Sequence, residues 1–318
     1  MIKKHCTRRD FLKTSALVTG AVFTAPYFLR AAAPADESSG LNAFRAKFGG
    51  TPIQSTKLTD SITLLSGPGG NVAVLNGGDG KIVIDTFVQP AWENLKKSLA
   101  DIGPQPIKLV IDTHWHFDHA DNNGAFRAMG APILAHKNVV HRMSESHELS
   151  LFHLHVPASP ASALPTQTFS SKHSLSANGE KLLLQHVDPA HTDTDIFIHF
   201  EKANIIHCGD LVTNHGGFPF IDFDTGGKIA GMIKASAHFL KIADDKTRFI
   251  PGHGGMVDKP TLQKFHDMLV QVHDRIAPLK GKSLEEVKAV KPLADLAEQW
   301  GKGMLNADQY TEDVYRAL

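Results

Sequence analysis

His114-Trp115-His116-Phe117-Asp118-His119 sets three imidazoles and one carboxylate within six residues. Neutral imidazole nitrogen and carboxylate oxygen both suit zinc, and histidines at i and i+2 can reach one ion from a single turn. The chain holds 19 histidines in 318 residues. At that frequency, three fixed histidines and one fixed aspartate arise by accident about once in 300 such chains. Chance clustering is therefore the weaker account. The motif follows an apolar run, Ile107-Lys108-Leu109-Val110-Ile111, and precedes a Gly- and Asn-rich turn. A strand ending in a ligand-bearing loop is a setting in which a sheet holds a metal site rigidly.

The segment resembles the His-x-His-x-Asp-His motif of the metallo-β-lactamase superfamily, and the rest of that pattern follows in order. Pro189-Ala190-His191-Thr192 is similar to the loop of the third histidine, Cys208-Gly209-Asp210 to the strand end of a bridging aspartate, and Pro251-Gly252-His253-Gly254 to the final histidine loop. The resemblance covers roughly residues 58–256 and is specific to the superfamily, not to a substrate. It implies two metals. His114, His116 and His191 would hold the first, Asp118, His119 and His253 the second, and Asp210 would bridge them. On chemistry alone, seven ligands are too many for one tetrahedral zinc and about right for two ions sharing a water. Two zinc ions are expected rather than iron or manganese.

The elements that must position these ligands read as strands, then a helix, repeated. Ser61–Leu65, Asn71–Leu75 and Lys81–Asp85 are strands separated by Gly-rich turns. Pro90 starts a helix whose buried face is Trp92, Leu95 and Leu99. After the motif, a helix runs from near Asp121 to Gly130, and Pro132–Ala135 is a short strand. Residues 138–178 lack clear strand character. Strands return at Lys181–Val187, Asp195–Phe200 and Asn204–His207. A helix from about Gly227 and a strand Thr247–Ile250 lead to His253. The expected fold class is α/β, a four-layer αββα sandwich of the metallo-β-lactamase type with extra C-terminal helices. In the tail, Leu262, Phe265, Leu269, Val272 and Ile276 form one stripe. Ser283 with Glu286 forms a capping box, and Asn306 with Gln309 resembles a further helix start. These tail helices either cover the core or form a partner surface.

Four segments follow: 1–33 as an export signal, 34–57 as a linker with a short helix near Leu41–Phe48, 58–256 as the metal-binding domain, and 257–318 as a helical extension. Thr7-Arg8-Arg9-Asp10-Phe11-Leu12-Lys13 matches a twin-arginine signal. The weakly apolar run after it, interrupted by polar residues and Pro26, is a poor membrane anchor. The expected location is the periplasm. Residues 1–33 carry six basic side chains and one acidic. Taking these from 33 and 33 leaves 27 and 32, a mature net charge of about −5. An acidic surface disfavours phosphate-backbone binding, so no nucleic-acid partner is expected. Cys208 alone remains after Cys6 leaves with the signal; no internal disulfide is possible, and Cys208 reads as buried strand filler.

The function these residues suggest is a binuclear zinc hydrolase acting on a small molecule. Its metal-bound hydroxide would attack the carbonyl of a β-lactam, lactone or related ester or amide, with Asp118 and Asp210 orienting the nucleophile and carrying its proton. Asp85 and Asp112, at strand ends, are candidate hydrogen-bond partners of ligand imidazoles. His215, Phe218 and Phe220 follow the bridging aspartate and are candidate substrate contacts, Phe218 and Phe220 as an apolar wall. Zinc β-lactamases often place a Lys shortly after the bridging position; here none occurs until Lys228. Two alternatives from the same superfamily are a thioester hydrolase, disfavoured by export, and a persulfide-dioxygenase-like oxidoreductase. The latter would hold a single iron on two histidines and an aspartate.

Overall fold

The computed structural model describes residues 39–318; the expected signal over residues 1–33 lies outside the described residues. Strands β1 (Gln54–Lys57), β2 (Ile62–Ser66), β3 (Val72–Leu75), β4 (Lys81–Ile84), β5 (Ile107–Ile111) and β6 (Ile133–His136) lie side by side in that order. A separate ribbon pairs β7 (His147–Leu149) with β8 (Leu154–Val156), and β9 (Gln167–Phe169) completes the first sheet beside β6. The second sheet runs β10 (Lys172–Ala177), β11 (Glu180–His186), β12 (Ile196–Phe200), β13 (Ile205–Asn214) and β14 (Arg248–Gly254). Strands β1 to β4 pair antiparallel, and β4, β5, β6 and β9 pair parallel. In the second sheet only β13 and β14 are parallel.

Side-chain alternation decides the layers, because successive residues of a strand face opposite sides. Ile62, Leu64, Leu75, Ile82 and Ile84 of the first sheet meet Leu182, Leu184, Ile196 and Ile198 of the second, all buried. Residues of opposite parity, among them Val74, Val83 and Val110, pack against Leu95 and Leu99 of helix Trp92–Ile102. On the far side, Phe197, Ile206 and Cys208 pack with Met232 and Phe239 of helix Ile229–Ile242 and with Leu262, Phe265 and Leu269 of helix Lys259–Ile276. The result is helix, sheet, sheet, helix. With both faces covered, the central strands are continuously apolar.

Three regions depart from the expectation. Residues 138–178, read as lacking strands, contain β7, β8, β9 and β10. The first three span three residues each, too short for a period to register, and β10 is a polar, mostly exposed edge. Strand β13 runs on to Asn214 because its pairing with β14 shifts register at Gly209, a bulge that bends the strand without ending it. The lead over residues 39–57 is part of the domain: helix Ser39–Gly49 buries Leu41, and β1 pairs with β2. The C-terminal helices cover the core, with Leu293, Leu305, Tyr310 and Val314 buried in the same cluster as helix Lys259–Ile276. Both expected caps form, Ser283 with Glu286 and Asn306 with Gln309. Among the described residues, no helix is long and apolar enough to cross a membrane.

Candidate metal centre

The motif loop leaves the end of β5 and is pinned at both faces. Trp115 donates its backbone N–H to Thr194 Oγ1 (3.2 Å) and its indole N–H to Thr225 Oγ1 (3.1 Å). Trp115 and Phe117 turn inward as apolar anchors. The histidines that alternate with them are left to meet the loop of His191, and His114, His116 and His191 gather as one buried cluster.

Hydrogen bonds assign the free nitrogen of each ring. Thr113 spends its hydroxyl hydrogen on Asp85 Oδ2 (2.8 Å), so at 3.0 Å its oxygen accepts from His114 Nδ1–H. His114 Nε2 is then a buried lone pair with no partner. His191 donates Nδ1–H to the Phe220 carbonyl (2.8 Å), and His116 donates Nε2–H to Asp222 Oδ2 (2.9 Å). The remaining nitrogens, His191 Nε2 and His116 Nδ1, face one another at 2.9 Å. Burial holds His114 well below the usual imidazole range and His191 down at about 4. Three ring nitrogens converging out of water, their other nitrogens already committed as donors, suit a cation.

The second cluster gathers Asp118, His119 and His253, with Asp210 against it. His119 donates Nδ1–H to Asp85 Oδ2 (2.7 Å), which aims Nε2 at Asp210 Oδ1 (3.2 Å) and His253 Nε2 (3.3 Å). His253 Nε2 also lies 3.1 Å from Asp118 Oδ2 and 3.5 Å from Asp210 Oδ2. Asp210 Oδ2 reaches across to His191 Nε2 at 3.6 Å, so one carboxylate touches both clusters. Burial pulls His253 down, but Asp210 and Asp118 outweigh it and raise the ring to about 10. The carboxylates therefore favour positive charge at this cluster. Close packing sets the positions: a Cβ at Gly70 would collide with the His119 ring, and one at Gly252 with Asp210 Oδ1.

The other candidates divide. Asp85 is tied to His119 and to the Thr113 amide (2.7 Å). Asp112, expected in the same role, instead accepts from Asn123 Nδ2 (2.8 Å) and bonds no ligand imidazole; burial pushes its carboxyl well up. Phe220 is half-buried, its ring 5.9 Å from that of His116 and 5.8 Å from that of His191. Phe218, expected as the second half of an apolar wall, is buried in the core and stacked on Tyr310 at 4.4 Å. His215 is exposed, with its ring 6.5 Å from that of His253. Cys208 is buried strand filler, its thiol pushed well up by burial.

Three contributors escaped sequence reasoning. Asp222 carries His116, Thr113 carries His114, and Asn71 clamps the His253 loop through Pro251 O and Gly254 O, both at 2.9 Å. Thr113 sits one residue from the motif and was open to notice. Asp222 carries only a local turn signal, an Asp three residues before Thr225.

Residues 65–253 match the Metallo-beta-lactamase superfamily. Among solved structures, the chain is similar to a metallo-beta-lactamase from Pontibacter korlensis, with 17% identity and a TM-score of 0.57, covering 69% of this chain and 99% of that one. It is also similar to the DIM-1 metallo-beta-lactamase, with 17% identity and a TM-score of 0.55, covering 69% and 98%. The same enzyme exposed to ceftazidime matches with 16% identity and a TM-score of 0.53, covering 69% and 96%. At such identity the likeness establishes the fold. Since the match spans more than half the sequence and takes in every residue of both clusters, this chain belongs to the metallo-β-lactamase superfamily.

Proposed function

We propose that this protein is a binuclear zinc hydrolase acting on the carbonyl of a β-lactam, lactone or related ester or amide. The observation that carries the reading is Asp210, whose carboxylate touches His191 of one cluster and His119 and His253 of the other. A donor set of imidazoles and carboxylates without thiolate suits zinc held for catalysis. Bound there, zinc supplies an acidified water, its pKa lowered from 15.7 to about 7, and polarises a carbonyl. His114, His116 and His191 would hold the first ion and Asp118, His119 and His253 the second. Asp118 and Asp210 are the carboxylates placed to orient the attacking water and accept its proton. The half-buried Phe220 ring shields one side of the three-histidine cluster from water. The twin-arginine segment around Arg8 and Arg9 would deliver the protein to the periplasm.

Metal analysis of the purified protein, with assays on a chromogenic cephalosporin, an acyl homoserine lactone and an aryl ester, tests the reading. Two zinc ions per chain and hydrolysis of at least one probe, lost in His116→Ala and in Asp118→Asn, are expected. One iron per chain, or full activity in variants that have lost a zinc, would overturn it.

A further inference from the structure

The loop 217–222 carries two of the contacts that orient the three-histidine cluster. The Phe220 carbonyl accepts His191 Nδ1–H, and Asp222 accepts His116 Nε2–H. What fixes this loop is not the sandwich alone. The Phe218 amide donates to the Trp300 carbonyl (2.7 Å), and the Ile221 amide donates to the buried Asp313 Oδ2 (2.9 Å). The Phe218 ring stacks on Tyr310 at 4.4 Å with a 20° tilt. Gly217 bridges to Gly301 and lies so close to Gly303 that a Cβ on either would strike the other's backbone. Every one of these partners lies between residues 300 and 313, well beyond the family match at residues 65–253.

We infer that the C-terminal segment 300–313 is a positioning element for the first metal site, acting through Asp313, Tyr310 and the Trp300 carbonyl on the loop that orients His191 and His116. A cap that merely covered apolar surface would need no buried carboxylate. Asp313 is fully buried, and its hydrogen bond goes to the backbone between the two residues that hold the histidines. Because Phe218 and Tyr310 are both fully buried, the loop cannot shift without opening a cavity in a close-packed core. The second cluster hangs from Asp85 and Asn71 and should not feel the tail.

The inference rests on the metal reading above, and zinc binding separates the two. Zinc is titrated into metal-free wild type and into His253→Ala, which leaves the three-histidine cluster complete while dismantling the other. In the His253→Ala background, Asp313→Ala should weaken zinc about tenfold. Asp313→Asn, which keeps a carbonyl oxygen for the Ile221 amide, should restore most of that affinity. In a His191→Ala background, where only the second cluster is intact, Asp313→Ala should change affinity less than twofold. Should Asp313→Ala fail to fold, Tyr310→Leu, which releases the Phe218 ring, must show the same selective weakening. No zinc bound by wild type would sink the metal reading itself. Wild-type affinity in folded Asp313→Ala, or equal weakening of both clusters, would leave the tail a structural cap and overturn the inference.

Discussion

Asp222→Ala is the perturbation that most directly probes how the first site is held. Asp222 is fully buried, accepting Nε2–H of His116 at 2.9 Å and both the amide and hydroxyl of Thr225. Burial alone would raise its carboxyl, but the hydrogen bonds from His116 and Thr225 outweigh it and hold the group below the usual range. Alanine leaves His116 Nε2–H in the interior without an acceptor, and the ring is then free to carry its proton on Nδ1, the nitrogen that faces His191. Losing such an orienting contact costs about 10–100-fold in metal affinity, or about 1.4–2.7 kcal/mol. The stranded N–H and the lost Thr225 cap should destabilise the zinc-free fold by a further 1–3 kcal/mol or so. Competition with a chromophoric chelator gives the first quantity, and urea denaturation with a strong chelator present gives the second. Asp222→Asn retains an acceptor oxygen and should stay within about tenfold of wild type. A folded Asp222→Ala that binds zinc as wild type does would refute the claim that this carboxylate fixes the His116 tautomer.

Three further outcomes are expected. Phe218→Ala should cost about 3–5 kcal/mol of stability, whereas Phe220→Ala should cost under about 2 kcal/mol and raise KM for apolar substrates; similar losses in urea denaturation would contradict the assignment of one ring to the core and the other to the site. His136, stacked on His186 at 3.7 Å, is lowered to about 4 from the ordinary 6.5 by burial first and the facing ring second, with Lys137 and Asp193 as charged neighbours. The unfolded chain then takes a proton that the folded one refuses, so about 2 kcal/mol of stability should be present above pH 6.5 and lost as pH falls toward 4; His136→Gln, measured by thermal unfolding across that range, should flatten the slope, and an unchanged slope would rule the pair out. Arg8→Lys combined with Arg9→Lys should leave uncleaved protein in the cytoplasm, and normal processing of this double variant, seen by cell fractionation, would contradict the export reading.

The clustered histidines and carboxylates were legible in the sequence and most of their supports were not, for a physical reason. A zinc site restricts residue type: mainly histidine, cysteine and carboxylates serve, so seven such candidates in characteristic loops stand out against the rest of the chain. A support needs only an acceptor, and any carbonyl, hydroxyl or carboxylate provides one. The Phe220 carbonyl, Thr113 Oγ1 and Asp222 each steady one histidine and share no residue type. The sandwich was readable for a similar reason, since buried strands such as Ile82–Ile84 must be apolar, whereas the polar edge β10 obeys no such rule. Asp85 and Asp112 show where pattern alone stops. Each follows an apolar strand, and β4 and β5 pair Ile84 with Ile111, so the two aspartates leave their strands at the same level. Sequence offers no ground for preferring either. The backbone decides between them: Asp85 takes a left-handed conformation with φ of 64°, and its carboxylate holds both Thr113 and His119. A non-glycine residue held there carries roughly 1–3 kcal/mol of strain. Three hydrogen bonds to that carboxylate, one of them from His119, offset it, and the strained backbone thereby becomes part of what aims the His119 ring.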